Sequence, residues 1–307
     1  MSLQQLKYLD ALARHQNFHR AAEACNVTQP TLSAGIRALE KDLGALLVKR
    51  SNQYGGLTSE GERVLAWAQR MLYEWDALRH NLMAFRTRLT GRLRLGAIPT
   101  ALPPVSAITN ALCQEHPDVT VTVLSMTSNQ ILEGLAHFRL DVGLTYLDNE
   151  PLPDLDTLAL YRERYVLLTP SDSPFAGRAS VTWREAATLP LTLLTGDMQN
   201  RRIVDAAFRA AGVQPAARVD TNSIITLCAH IRPGGWSSIL PVALLSTIVQ
   251  PKEAVAIPIV EPARTPLIGL AALRSDPTPP LIAATWSAAR QLLPSTLTGD
   301  PDALSVT

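Results

Sequence analysis

The residues that could make or break bonds are few in this chain, and their spacing does not bring them together. His116 precedes Pro117 and His137 falls late in a helical run, so both read as helix-end residues; His230 is the remaining candidate for a histidine and carboxylate pair. No nucleophile elbow, metal-ligand spacing or phosphate-binding loop occurs, which points away from an enzyme and from a metal site. Cys25, Cys113 and Cys228 are odd in number and far apart, giving neither a disulfide framework nor a ligand pair. What the chain does concentrate is hydrogen-bonding chemistry. Thr28, Gln29, Thr31, Ser33 and Arg37 stand close together, followed by Lys49 and Arg50. Amides and hydroxyls with one cation suit base edges, and adjacent cations suit phosphate. A looser set, Thr100, Ser128, Asn129, Thr145, Asn200 and Arg202, suits a carboxylate or another small polar molecule.

Helices are needed to aim the first set. Leu3, Leu6, Leu9, Leu12 and Ala13 recur on one face of a first helix. A second runs from about Phe18 to Cys25, where the small Ala21 and Ala22 admit a close crossing. Asn26-Val27-Thr28 is a short turn: Asn26 tolerates positive φ, Thr28 is an N-cap, and Pro30 falls in a first turn, where a missing N–H does no harm. The third helix covers about residues 29–43. Its stripe of Leu32, Ile36, Leu39 and Leu43 must face a core, which turns Gln29, Thr31, Ser33, Ala34 and Arg37 toward a major groove. Residues 46–58 read as a strand, a Gly-containing turn and a return strand. This is a wing, whose Lys49 and Arg50 neutralise phosphate or enter a minor groove. Ser59 and Glu62 then form a capping box at the start of one long helix. In it Val64, Ala68, Met71, Trp75, Leu78, Leu82, Phe85 and Leu89 alternate steps of four and three, a heptad seam that predicts a self-associating coiled coil over 59–89. Thr90-Gly91 is the hinge.

From Arg92 the period changes. Strands at 92–98, 119–124 and 141–146 alternate with helices at about 103–114 and 129–138, the order of a mainly parallel sheet. A second set follows, with strands at 165–168, 191–194, 216–220, 238–240 and 255–259 and helices at 201–211 and 223–231. A strand at 267–273 and a helix from about Pro280 to Leu293 return to the first pattern. Two α/β lobes are expected, with crossings near 160–164 and 260–267, and a frayed polar tail after Pro294. Ligands of α/β sheets gather at the carboxyl ends of strands and at helix N-termini. Thr100 and Thr145 lie at strand ends, Ser128 and Asn129 open one helix, and Asn200 and Arg202 open another.

The totals agree with this division. A chain of 307 residues suits about two domains. The net charge of +1 hides an asymmetry: residues 1–91 carry 12 Lys and Arg against 8 Asp and Glu, while residues 92–307 carry 16 against 19. A basic front and a mildly acidic back fit a nucleic-acid-binding head on a body that does not bind it. No apolar run suits a membrane span, and the first residues lack the apolar core and cleavage site of a signal peptide, so the cytoplasm is the expected location. An architectural DNA-binding protein without a ligand would not need so large a two-lobed body.

Residues 17–61 resemble the signature of LysR-type transcriptional regulators. Asn17-Phe18-His19-Arg20-Ala21-Ala22, Thr28-Gln29-Pro30-Thr31-Leu32-Ser33, Leu39-Glu40 with Leu43-Gly44, and Leu57-Thr58 with Gly61 fall in register with it. The resemblance implies an N-terminal, all-α winged helix-turn-helix with a long linker helix, and a C-terminal α/β two-lobed domain similar to periplasmic binding proteins. The domains would be 1–58, DNA-binding; 59–91, linker helix and hinge; and 92–307, effector-binding. Lobe I would take about 92–162 and 266–295, and lobe II about 163–265. The resemblance adds Pro30, Thr31 and Arg50 to the DNA surface. It implies that Thr100 and Ser128 bind a small-molecule co-inducer, with no other cofactor. It further implies dimers on a double-stranded DNA operator, tetramers, and an effect on RNA polymerase recruitment. The chain departs from the family in places. Asn17 stands where Ser is frequent, and Ala34 and Gly35 replace longer polar residues. Leu47-Val48-Lys49-Arg50 replaces Leu-Phe-x-Arg, and Phe138 replaces a Gly before Leu140-Asp141. Ala34 and Gly35 are expected to leave the reading face lean, so that DNA shape matters more.

Overall fold

A computed structural model describes residues 1–50, 54–84, 88–215, 217–231, 236–246, 254–261 and 263–292. The chain divides into two compact units, Met1–Thr87 and Arg88–Thr307.

In the first unit α1 (Leu3–His15), α2 (Phe18–Ala24) and α3 (Gln29–Leu43) enclose Leu6, Leu9, Leu12, Ala21, Ala22, Leu32, Ile36 and Leu39. Each helix start is capped by a side chain, from Ser2, Asn17 and Thr28 respectively, which satisfies N–H groups that have no partner within the helix. Asn26 adopts φ 53 in the turn, as expected. The stripe of α3 ends one turn early: Leu43 is 41% exposed. Left-handed Gly44 (φ 64) ends the helix just behind it and redirects the chain. Buried Glu40 accepts the N–H groups of Leu47 and Val48 at 3.0 and 3.3 Å and so fixes where the wing departs. The wing pairs β1 (Val48–Arg50) antiparallel with β2 (Tyr54–Leu57). The expected wing turn at 51–53 lies outside the described residues.

The long helix α4 (Ser59–Ala84) begins differently from the expectation. Thr58, not Ser59, is the cap: its hydroxyl accepts the Gly61 N–H at 2.9 Å and donates to the Leu46 carbonyl at 2.6 Å. Glycine holds the third helical position, so the expected capping box with Glu62 does not form. A Cβ at Gly61 would collide with the Leu47 carbonyl, so glycine lets the helix start against the wing. The heptad seam also divides. Val64 and Ala68 pack on the head core, whereas Met71, Trp75, Leu78 and Leu82 are exposed. Phe85 lies outside the described residues, and Leu89 packs on the core of the second unit instead of continuing the seam.

The second unit contains, in chain order, β3 (Gly91–Ala97), α5 (Leu102–Glu115), β4 (Val119–Ser125), α6 (Ser128–Ala136), β5 (Val142–Tyr146), β6 (Leu155–Arg162), β7 (Tyr165–Pro170), β8 (Val181–Thr182), α7 (Trp183–Ala186), β9 (Leu191–Leu194), α8 (Gln199–Ala210), β10 (Ala217–Thr221), α9 (Ile224–Ala229), β11 (Ser238–Pro241), β12 (Ala254–Val260), β13 (Leu267–Leu273) and α10 (Pro280–Leu292). The first lobe is a five-stranded sheet of order β4-β3-β5-β13-β6. Its first three strands are parallel, but β13 runs antiparallel to both β5 and β6, so the sheet is mixed and not mainly parallel. The reason is connectivity: β13 returns from the other lobe and meets the sheet from its opposite end. Strand β6 was not expected, because Asp156, Thr157 and Arg162 interrupt its apolar positions, as an edge strand permits. The second lobe has a sheet of order β11-β7-β12-β8 and a parallel pair of β9 and β10, linked by a bridge from Leu191 to Ser237. One hydrophobic cluster, including Leu95, Leu144, Leu167, Ile257 and Leu270, runs through both lobes.

One turn bears on a sequence departure. Phe138 has φ 53, the left-handed region that favours glycine. Arg94 holds that turn, donating to the Phe138 carbonyl at 2.7 Å and pairing with Asp141 at 2.6 Å. Leu293 and the expected tail lie outside the described residues. Among the described residues no helix is long and apolar enough to cross a membrane.

Candidate DNA-binding face and interlobe site

The face of α3 opposite its buried stripe carries the expected polar set. Thr28, Gln29, Pro30, Thr31, Ala34 and Arg37 are exposed and Ser33 is half-buried. The Thr28 hydroxyl is committed locally: it accepts the Thr31 N–H at 3.4 Å and shares a hydrogen bond with the Thr31 hydroxyl at 2.8 Å. Gln29 and Arg37 make no hydrogen bond or ion pair among the described residues. Lys49 is exposed on the wing, and the Arg50 side chain lies outside the described residues. Gly35 corrects one expectation. A Cβ there would sit 2.5 Å from Cδ2 of Tyr8. Gly35 therefore faces the α1 contact, and its missing side chain takes nothing from the reading face. Only Ala34 thins that face.

Along α4, Trp67, Met71, Trp75 and Leu78 line a shallow apolar groove with Leu3. Trp75 is 41% and Leu78 50% exposed, so this part of the heptad stripe is an exposed apolar face.

Between the two lobes, four of the six expected contacts meet in two clusters. Thr100, beyond the end of β3, lies 3.4 Å from the Tyr146 hydroxyl, and Asn200 donates to that hydroxyl at 3.0 Å. Tyr146 in turn donates to Glu163 at 2.7 Å, and Tyr165 donates to the same carboxyl oxygen at 3.1 Å. Trp183 packs edge-on against Tyr165, with ring centroids 5.9 Å apart. In the second cluster Arg202 on α8 donates to Ser128 at 3.4 Å and, through two nitrogens, to Glu150 at 2.9 and 2.6 Å. Asn129 is exposed in the first turn of α6, and Thr145 is buried on β5 with its hydroxyl unpaired. Neither joins the clusters.

The electrostatics follow from burial. The Glu163 carboxyl is pushed up to about 8 by burial, with the Tyr146 and Tyr165 hydroxyls pulling the other way. At neutral pH it is mostly protonated, and its second oxygen has no partner. Burial also holds the Tyr146 and Tyr165 hydroxyls well above their ordinary range. Sequence reasoning missed Tyr146, Glu150, Glu163 and Tyr165. Glu163 sits between Arg162 and Arg164 and reads as a solvated charge; its position at the lobe crossing was the available signal. A cavity of about 410 Å³ adjoins Glu150 and Arg202. A larger, mainly apolar hollow of about 1050 Å³ in the second lobe contains none of the six expected contacts.

Comparison with known proteins follows the same division. Residues 3–62 match the family described as bacterial regulatory helix-turn-helix protein, lysR family, and residues 86–294 match the LysR substrate binding domain. A probable hydrogen peroxide-inducible genes activator of Streptomyces viridosporus is 32% identical over 78% of this chain and 77% of its own length. The DNA-binding transcriptional dual regulator OxyR of Escherichia coli is 29% identical over 88% of each chain. Among solved structures, a cysteine variant of full-length OxyR from Pseudomonas aeruginosa superposes with a TM-score of 0.79 at 28% identity, covering 94% of this chain and 95% of that one.

Proposed function

The chain belongs to the LysR family of bacterial transcriptional regulators, and on that premise we propose how its parts share the work. Residues 1–58 bind double-stranded operator DNA, 59–91 form the dimerising helix and hinge, and 92–307 bind the effector that modulates operator binding. On DNA, α3 lies in the major groove. Gln29, Ser33 and Arg37 face base edges, Thr28, Pro30 and Thr31 set the first turn against the backbone, and Lys49 and Arg50 neutralise phosphate from the wing. The observation that carries this reading is the split of α3, with Leu32, Ile36 and Leu39 buried and Gln29, Thr31 and Arg37 exposed.

Two copies pair through Met71, Trp75, Leu78 and Leu82, which sets two heads on a partly symmetric operator, and dimers pair into tetramers. The effector is a small polar or anionic metabolite held between the lobes near Thr100, Ser128, Asn200 and Arg202, with Asn129 and Thr145 at the margin. Its binding favours one lobe arrangement, alters dimer packing and DNA bending, and so changes RNA polymerase recruitment in the cytoplasm. The relatives' names suggest a second reading, response to hydrogen peroxide. Two of the three thiols argue against it: burial raises Cys25 and Cys228, away from the thiolate that attacks peroxide. A variant with Cys25 and Cys228 changed to serine should therefore regulate normally.

Footprinting on the DNA upstream of the chain's own gene tests the head. Gln29→Ala should relax base preference at defined positions, at about 1–3 kcal/mol per half-site, while Arg50→Ala should weaken all sequences alike and flatten the salt dependence. Unchanged binding by both variants would overturn the assignment. A footprint indifferent to every metabolite that induces the target gene would overturn the sensor.

A further inference from the structure

The clusters expected to hold the effector leave it no room. Thr100, Ser128 and Asn200 are buried, and their polar atoms already face Tyr146 and Arg202. Space opens beside them, in the cavity lined by Asp148, Asn149, Glu150, Gln199, Arg202 and Arg264, among others. Its volume of about 410 Å³ lies within the range of small-molecule sites.

The charges around this cavity sort into pairs with one left over. Asp148 takes Arg162 at 3.4 Å and also accepts from the Asn149 side chain at 2.7 Å and the Leu267 N–H at 3.0 Å. Glu150 takes Arg202 through two nitrogens. Arg264 is exposed and, among the described residues, makes no ion pair. The surplus is a single guanidinium, set among the amides of Asn149 and Gln199 and the hydroxyl of Thr265. That wall suits a small hydrophilic anion of one charge better than a cation or an apolar ring.

The Arg202 and Glu150 pair has a second property. Arg202 stands on α8 of the second lobe and Glu150 follows β5 of the first, so this ion pair joins the lobes. Emptying Arg202 leaves a poorly solvated guanidinium, but an incoming carboxylate keeps its charge-assisted bonds while Glu150, 31% exposed, turns to solvent. Exchange is the easy route for this pair.

We propose, resting on the reading of the interlobe region as the sensor, that this cavity receives a small hydrophilic monocarboxylate whose carboxylate pairs with Arg264 and takes the place of Glu150 on Arg202. Binding then trades a lobe-to-lobe ion pair for a lobe-to-ligand one and frees the lobes to rearrange. The buried Tyr146, Glu163 and Tyr165 cluster holds the lobes together and does not touch the ligand.

Acetate is the probe, used on the full-length protein, with acetamide as its uncharged match and chloride at equal ionic strength. Calorimetric titration should detect acetate and neither control. Arg264→Gln, an exposed position, should weaken acetate binding by roughly tenfold, and Glu150→Gln, which removes the competing carboxylate, should strengthen it by roughly threefold or more. No acetate binding beyond chloride overturns the proposal, as does a Glu150→Gln variant that binds acetate no better. Acetate binding lost in Ser128→Ala but kept in Arg264→Gln places the ligand in the buried clusters; the proposal then fails and the sensor reading survives. Acetate binding that follows Arg264 and Glu150 while operator binding ignores acetate supports the site and overturns the sensor reading.

Discussion

The reading face of α3 and the clusters between the lobes use the same kinds of side chain in opposite states. Gln29 and Arg37 are exposed and unbonded among the described residues, whereas Thr100, Ser128 and Asn200 are buried and already bonded to a tyrosine or an arginine. The contrast follows from what each must meet. Duplex DNA carries its own phosphates and base edges to a convex helix, so the reading groups can stay hydrated until it arrives. A site inside the protein pairs most of its buried donors, because each unpaired group costs about 1–3 kcal/mol, and Thr145 is an exception. The protein therefore provides internal partners, and a ligand has to compete with them. Head and sensor differ less in composition than in whether their polar groups face solvent or other side chains.

The buried side of this contrast breaks most strongly at Glu163. Its folded value of about 8 lies above the ordinary carboxylate range, so between those limits the folded chain binds more protons than the unfolded one. Stability is greatest at low pH within that window and falls as pH rises to about 8, by on the order of 4 kcal/mol. Glu163→Gln should remove that slope, measured as urea-unfolding free energy at mildly acidic and mildly alkaline pH. A slope shared by both proteins would mean that Glu163 is ionised in the fold. On the proposed pairing through α4, the head depends on being doubled. Leu78→Glu places a charge in the seam and should yield monomers by light scattering, with operator affinity lower by roughly a hundredfold. A dimeric Leu78→Glu protein would move the interface elsewhere. Gly35→Ala sharpens the boundary between core and reading face. It should cost roughly 2 kcal/mol in denaturant unfolding by pressing on Tyr8, while exposed Ala34→Ser should stay within about 0.5 kcal/mol. Equal effects would mean that Gly35 does not face the packed side. Lys49→Ala should do least, weakening DNA binding a few-fold and lowering the salt slope by about 1. A change in base preference would instead give Lys49 a reading role.

How far the sequence discloses each region follows the same physics. The head is legible because local rules govern it: Thr28 caps, Asn26 turns, and Leu32, Ile36 and Leu39 mark the buried side. The errors there came from neighbours distant in sequence. Gly35 is set by Tyr8, and the cap of α4 moves to Thr58 because Gly61 must clear Leu47. The two-lobed plan was legible from the change of period at Arg92, but the antiparallel return of β13 and the edge strand β6 depend on topology that periodicity does not carry. In the interlobe region, strand ends and helix starts pointed to Thr100, Ser128, Asn200 and Arg202. Their partners Tyr146, Glu150 and Glu163 escaped notice because each looks ordinary until folding places it across the crossing.

Hydrogen exchange on the full-length protein, with and without operator DNA, tests the contrast most directly. The account predicts that DNA protects the first turns of α3 and the wing, while the amides around Tyr146, Glu163 and Asn200, already enclosed, keep the same slow exchange. Protection that leaves α3 unchanged, or fast exchange around Glu163 in the free protein, would contradict it.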